Sequence, residues 1–293
     1  MTNKVHIIVN PASGQPQPVL HTLNAVFHPA GVEWEVLITK QSGDARRYAH
    51  AAVDAGVDVV AANGGDGTVM EGAQGIKGSQ VPMAILPGGT ANLVSVELGI
   101  PKDLHKATEV IINEDSQVKK VDMGKIGDEY FLLRVGMGIA AEKVKMADRD
   151  MKDRYGLAAY TIAGLQAIIG SQVARYKLTL DGQQIESEGV TCIIDNAGNM
   201  GVSDLKAARD IDMSDGMLDV ILIHDRGAKA MVSAATSIAG RSPDPAKVQH
   251  WQARHITIET DPPLDLQVDG EMRGQTPITV EVVPAVVGVL IPA

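Results

Sequence analysis

The residues Asn63-Gly64-Gly65-Asp66-Gly67-Thr68 join a backbone that can approach a ligand closely to one carboxylate and one hydroxyl. Glycine permits positive φ and leaves N–H groups uncovered, which suits phosphate oxygens. An apolar run at 57–62 precedes the segment, and Val69, Ala73 and Ile76 follow at helical spacing, so the order is strand, glycine turn, helix. Free N–H groups and the positive dipole end of such a helix favour a nucleotide phosphate. Asp66 needs its own explanation, because a carboxylate beside phosphate repels it unless a cation stands between them. Mg²⁺ is therefore expected there. The alternative is that Asp66 only caps the following helix.

Two more glycine turns have the same setting. Asn10-Pro11-Ala12-Ser13-Gly14 follows the first apolar run, and Leu86-Pro87-Gly88-Gly89-Thr90-Ala91-Asn92 follows the run at 81–86 and opens a helical segment. In an open parallel sheet, turns at the carboxyl ends of strands gather along one edge, where ligands bind. The three turns are expected to share one crevice.

The elements that must position these turns alternate. Strand patterns at 5–10, 32–38, 57–62 and 81–86 are interleaved with helical patterns at 19–27 and 45–55, and helices at 91–98 and 104–113 precede a strand at 119–123. This rhythm predicts a Rossmann-like parallel sheet with helices on its faces. Beyond it, strand patterns dominate, at 130–135, 176–180, 190–195, 218–223, 255–259, 264–268 and 278–283, with helical stretches at 140–169 and 228–239. The fold class is α/β: a nucleotide-binding domain over 1–122 and a mostly antiparallel, β-sandwich-like acceptor domain over 123–293. The final apolar run, 286–291, is free to return to the first domain.

Bulk properties narrow the partners. A formal charge of −10 opposes attraction to nucleic acid and to anionic membrane surfaces, and nine aromatic residues in 293 leave few stacking platforms for bases. Nucleic acid is excluded as the expected partner. The single Cys192 has no partner for an internal disulfide and sits in a strand pattern, as a small buried apolar residue does. The start of the chain lacks the basic and long apolar regions of a signal peptide. The most apolar helical run, 157–169, is shorter than the roughly 20 residues a bilayer requires. The expectation is a cytoplasmic protein with at most peripheral contact at the inner membrane face, and a homodimer is compatible with it.

With these turns in order along the chain, the sequence resembles the diacylglycerol kinase catalytic-domain family, which includes bacterial lipid kinases and is related to sphingosine kinase and NAD kinase. The marks are Asn10-Pro-Ala-Ser-Gly14, Gly64-Gly-Asp-Gly-Thr68, Leu86-Pro-Gly-Gly-Thr-Ala-Asn92 with Leu98-Gly-Ile-Pro101, Asp215-Gly-Met-Leu-Asp219 and Asp269-Gly-Glu271. The resemblance covers essentially the whole chain. It implies ATP and Mg²⁺ as cofactors, with Asn10, Thr39, Gly64, Gly65, Asp66, Gly67, Thr68 and Thr90 contacting ATP. It implies Glu271 as the proton acceptor for the attacking hydroxyl, with Asp66 at the metal and phosphate end. It also implies a metal site of Asp212, Asp215 and the Met217 carbonyl. The residues give Glu271 a setting of their own: Leu264, Leu266 and Val268 alternate as a buried strand face, and Gly270 permits a turn before the carboxylate. Asp215-Gly216 also reads as a plain hairpin turn.

Two positions depart from the family pattern. Met70 stands where Asn is usual after the Gly-Gly-Asp-Gly-Thr turn, and Leu93 where many members have Asp. The acceptor is expected to be a diacylglycerol-like or other amphiphilic alcohol. The mixed-charge stretch 142–154 is no clear lipid-binding patch, and the helical stretch 155–170 reads first as core. The alternatives are an NAD kinase or sugar-phosphate kinase, and a nucleotide-binding regulator with impaired catalysis.

Overall fold

Short apolar runs buried on both faces define the first part of the structure, a computed structural model that describes residues 2–14, 17–138, 173–198, 211–224 and 248–293. The chain divides into two units, Met1–Val121 with Ala285–Ala293, and Asp122–Pro284. The helical expectations at 140–169 and 228–239, and the stretch 142–154, lie outside the described residues.

The first unit runs β1 (Lys4–Val9), α1 (Val19–Ala30), β2 (Glu33–Ile38), α2 (Asp44–Asp54), β3 (Val59–Gly64), α3 (Asp66–Ile76), β4 (Met83–Pro87), α4 (Leu93–Glu97) and α5 (Leu104–Ile112), and enters β5 (Gln117–Ile126). The strands pair in the order β2-β1-β3-β4, all parallel. β3 and β4 are buried throughout, as central strands covered on both sides must be. β2, at the edge, carries exposed Glu33, Glu35 and Ile38. Val9 is level with Ile38 and with Asn63, and Asn63 with Leu86. The carboxyl ends are therefore flush, and the turns that follow them leave from one edge. α2 and α3 bury Ala49, Ala52, Val69, Ala73 and Ile76.

The second unit adds β6 (Glu129–Phe131), β7 (Arg134–Met137), β8 (Ala174–Leu180), β9 (Gln183–Gly189), β10 (Thr191–Asp195), β11 (Leu218–Ile223), β12 (Val248–Ala253), β13 (His255–Asp261), β14 (Asp265–Val268), β15 (Glu271–Gln275) and β16 (Ile278–Ile291). One sheet has the order β12-β11-β10-β7-β14-β15, and every pair is antiparallel. Facing it, β16, β13, β8 and β9 pair antiparallel. Residues of alternating burial on β8, such as Tyr176 and Leu178, pack with Cys192, Ile194, Val220 and Leu222 of the other layer in one shared core. Cys192 is fully buried, and burial pushes its thiol up to about 12. The fold is thus a parallel-sheet α/β unit joined to an antiparallel two-layer unit.

β16 serves both units. Its first residues pair with β13, Ala285 then adopts φ +51, and Val289 pairs parallel with Met83 of β4.

The structure differs from the sequence expectation in three respects. The strand expected at 57–62 continues through Asn63 and Gly64, and helix α3 begins at Asp66, so only Gly65 lies between them. The strand expected at 130–135 is two, β6 and β7, because the Asp269 carboxylate collects the N–H groups of Leu132, Leu133 and Arg134 at 2.8–3.0 Å. β9, β12 and β15 had no sequence counterpart. Each lies at the end of its strand order, where solvent-facing polar residues erase the apolar pattern.

Candidate functional site

The three glycine turns meet at the flush edge of the first unit. Gly14, at φ +67, lies so close to the Leu86–Asn92 turn that a Cβ there would sit 1.7 Å from the Gly88 carbonyl oxygen. A Cβ on Gly89 would lie 2.5 Å from the Gly65 Cα. Gly88 N–H donates to the Gly64 carbonyl at 2.9 Å, and Asn10 N–H donates to the Asn63 carbonyl at 2.9 Å. The Asn10 side chain then donates to the Thr68 hydroxyl at 3.0 Å and accepts from Ala12 N–H at 3.0 Å. Asn10, Gly64, Gly65 and Thr68 are thereby one connected group. Backbone packed this closely, at the start of an eleven-residue helix, is chemically a cradle for anionic oxygens.

Thr39 follows β2 on the same edge, with its N–H donating to the Val9 carbonyl at 2.9 Å. Thr90 is exposed on the third turn, which Asn92 closes by accepting from Gly89 N–H at 2.9 Å and donating to the Gly89 carbonyl at 2.7 Å. Gly67 is exposed in the first turn of α3.

Asp66 does not cap its own helix. Gly65 occupies that position without a side-chain bond, and the Asp66 carboxylate instead accepts from Val94 N–H of α4 at 3.2 Å. It ties the first glycine turn to the helix that follows the third. Met70 Sδ accepts from Gln74 Nε2 at 3.2 Å, and Leu93 is half-buried at the start of α4. The sequence reading overlooked Glu71, whose carboxylate accepts from Ser42 Oγ, Gly43 N–H and Ala45 N–H at 2.8–3.1 Å.

In the second unit, Glu271 opens β15 with 67% of its side chain exposed, and Arg273 two residues on pairs with it and with Glu129. Beneath that exposed strand the turn is anchored. Asp269, at φ +46, receives three backbone N–H bonds from residues 132–134 and donates its own N–H to the Arg134 carbonyl at 3.0 Å. Burial pushes its carboxyl above the usual range, against the pull of the three donors and of the Arg134 guanidinium.

The expected metal ligands Asp212, Asp215 and Met217 lie in the turn that precedes β11. Asp212 Oδ1 accepts from Ser214 N–H and Oγ, Asp215 Oδ1 accepts from Met217 N–H, and Asp215 Oδ2 accepts from Gln252. Burial first, and then the Asp219, Asp122 and Asp212 carboxylates, push Asp215 above the usual range, while the Met217 N–H opposes them. Oxygen donors suit Mg²⁺. Among the described residues, no three acidic, histidine or cysteine side chains group as a metal site.

What decides the family is that both units match one after the other. Residues 4–126 match the diacylglycerol kinase catalytic domain, and residues 134–291 match the YegS C-terminal NAD kinase beta sandwich-like domain. The chain belongs to the diacylglycerol kinase family. Within that family it is 26% identical to a diacylglycerol kinase of Bacillus subtilis over 280 residues, covering 94% of this chain and 91% of the relative. A diacylglycerol kinase of Staphylococcus aureus is 29% identical over 282 residues, covering 94% of this chain and 89% of the relative. A crystal structure of a diacylglycerol kinase from Bacillus anthracis superposes with a TM-score of 0.80 at 29% identity, covering 99% of this chain and 97% of that one. Among the described residues, no helix is long and apolar enough to cross a membrane.

Proposed function

We propose that this family member is an ATP-dependent kinase that transfers the γ-phosphate to a hydroxyl of a diacylglycerol-like or other amphiphilic acceptor, at transient contact with a membrane surface. The observation that carries the reading is the meeting of the three glycine turns at the ends of β1, β3 and β4. ATP enters as its magnesium complex, so the cation comes with the substrate. The backbone N–H groups around Gly65 and the start of α3 take phosphate oxygens, and Asn10, Thr39 and Thr90 supply polar contacts to the rest of the nucleotide. Asp66 braces the cradle through Val94.

Glu271 acts as the base. The acceptor O–H proton passes to its carboxylate, the oxygen bonds to the γ-phosphorus, and the bond from phosphorus to the β–γ bridging oxygen breaks to release ADP. A positioned base contributes about 10² to 10⁴ in rate, so the larger share of the acceleration falls to alignment and charge neutralisation. Glu271 lies on an exposed strand and is paired with Arg273, a cation suited to charge that builds on a transferring phosphoryl group.

The test is incubation of the purified chain with labelled ATP, Mg²⁺ and a panel of micellar lipids. Label in an organic-extractable product, absent with Glu271→Gln, is the expected result. Label confined to water-soluble product would replace this reading with an NAD or sugar-phosphate kinase. Thermal stabilisation by ATP without turnover would replace it with a nucleotide-binding regulator.

A further inference from the structure

We infer that Glu71 is a positioning residue for the nucleotide, capping helix α2 from the neighbouring helix and thereby fixing the Thr39 turn against the glycine turn before α3. This rests on the nucleotide reading above. Helix α2 begins at Asp44 behind Gly43, whose φ of +87 and missing side chain leave the helix without a cap of its own. The first N–H groups of any helix need acceptors from elsewhere. Glu71 provides them: Oε1 accepts from Gly43 N–H at 2.8 Å and Ser42 Oγ at 3.1 Å, and Oε2 accepts from Ala45 N–H at 3.1 Å. A carboxylate at this end of a helix also complements the dipole.

The same segment is held from within by Asp44, whose Oδ2 accepts from Lys40 N–H at 2.9 Å and Gln41 N–H at 3.2 Å. Its Oδ1 accepts from Arg47 at 2.8 Å. Asp44 is local to the turn and shapes it; Glu71 bonds the turn to α3, which also packs on α2 further along, where a Cβ on Gly75 would lie 2.4 Å from the Arg46 carbonyl oxygen. Glu71 lies five residues, about 1.4 turns, beyond Asp66 on that helix, so one rod carries both the start of the candidate phosphate cradle and the clamp on residues 42–45. Thr39 donates both its N–H, at 2.9 Å, and its hydroxyl, at 3.4 Å, to the Val9 carbonyl, and the chain runs from it directly into the clamped segment. Without Glu71, Thr39 keeps its bonds to Val9, but the segment that follows it is no longer tied to the helix that begins at Asp66. Glu71 touches no reacting atom.

The experiment is steady-state kinetics and direct ATP-binding calorimetry on the parent, Glu71→Gln and Glu71→Ala. For Glu71→Ala, KM and Kd for ATP are expected to rise about tenfold or more, as loss of charge-assisted bonds predicts. kcat and the acceptor KM are expected to stay within about twofold. Glu71→Gln keeps the Oε1 acceptor but sets an amide against Ala45 N–H, and is expected to fall between; it carries the test should the alanine variant not fold. A residue with a purely structural role would lower the melting temperature and the active fraction while leaving ATP affinity unchanged, and that result overturns the inference alone. A parent that binds no nucleotide would overturn the kinase reading and this inference together.

Discussion

The two candidate centres are built in opposite ways. In the first unit the candidate nucleotide edge is almost all backbone: glycines packed against glycines, with Asn10 and Thr68 bonded to each other and Asn63, Gly64 and Gly88 buried behind them. In the second unit a single exposed carboxylate stands on an edge strand with no buried residue, and precision is delegated to Asp269 beneath it. A site made of backbone can exclude added atoms but has little side-chain chemistry to lose. A site made of one side chain has the reverse vulnerability. Substitutions should therefore divide by unit, shape mattering in one and chemistry in the other.

The sharpest test of that division is Glu271→Gln, which preserves shape and removes the base. Turnover is expected to fall by about 10² to 10⁴. The melting temperature should scarcely move, because an exposed pair such as Glu271–Arg273 contributes roughly 0–1 kcal/mol. Turnover within tenfold of the parent would remove Glu271 as the base. Asp269→Ala is the counter-case inside the same unit. It strands three backbone donors and should destabilise by about 2–3 kcal/mol, read as a lower denaturant midpoint, with activity lost alongside.

In the first unit the largest effect comes from adding one methyl group. Gly89→Ala drives a Cβ toward Gly65 and is expected to cost about 1–3 kcal/mol and to abolish stabilisation by ATP, measured by thermal shift. An alanine variant that binds ATP normally would break the comparison.

The smallest effect concerns Asp215. Because its folded carboxyl is raised, the stability it contributes is present below its unfolded value, near pH 4, and is lost as pH rises through the raised value. The parent is thus expected to lose a little stability across that window relative to Asp215→Asn, measured by paired melts. Repeating the pair with Mg²⁺ sharpens the point, since a cation bound there would raise the parent and not the variant.

How much of this was readable in the sequence follows from where the causes lie. β1, β3 and β4 announce themselves because burial on both faces leaves mostly apolar runs, broken only by His6 within β1 and by Asn63 near the end of β3. β9, β12 and β15 do not, because edge strands carry polar residues with no enforced alternation. The break at Leu132 is invisible locally, its cause being a carboxylate 137 positions away. Within the candidate site, glycine spacing gave the kinds of turn and their shared edge. The partner of Asp66 on α4 and the grip of Glu71 on α2 are 26–29 residues distant in sequence, and a capping pattern read over a few residues cannot find them.

The path of β16 bears on the order in which the protein is made. The strand that pairs with β4 comes from residues 285–293, so the first unit cannot complete its sheet until the chain has been made through the whole of the second unit. Residues 1–121 produced alone should expose one side of β4, and a nascent chain arrested before residue 289 should be open to protease there, although all its glycine turns have already been synthesised.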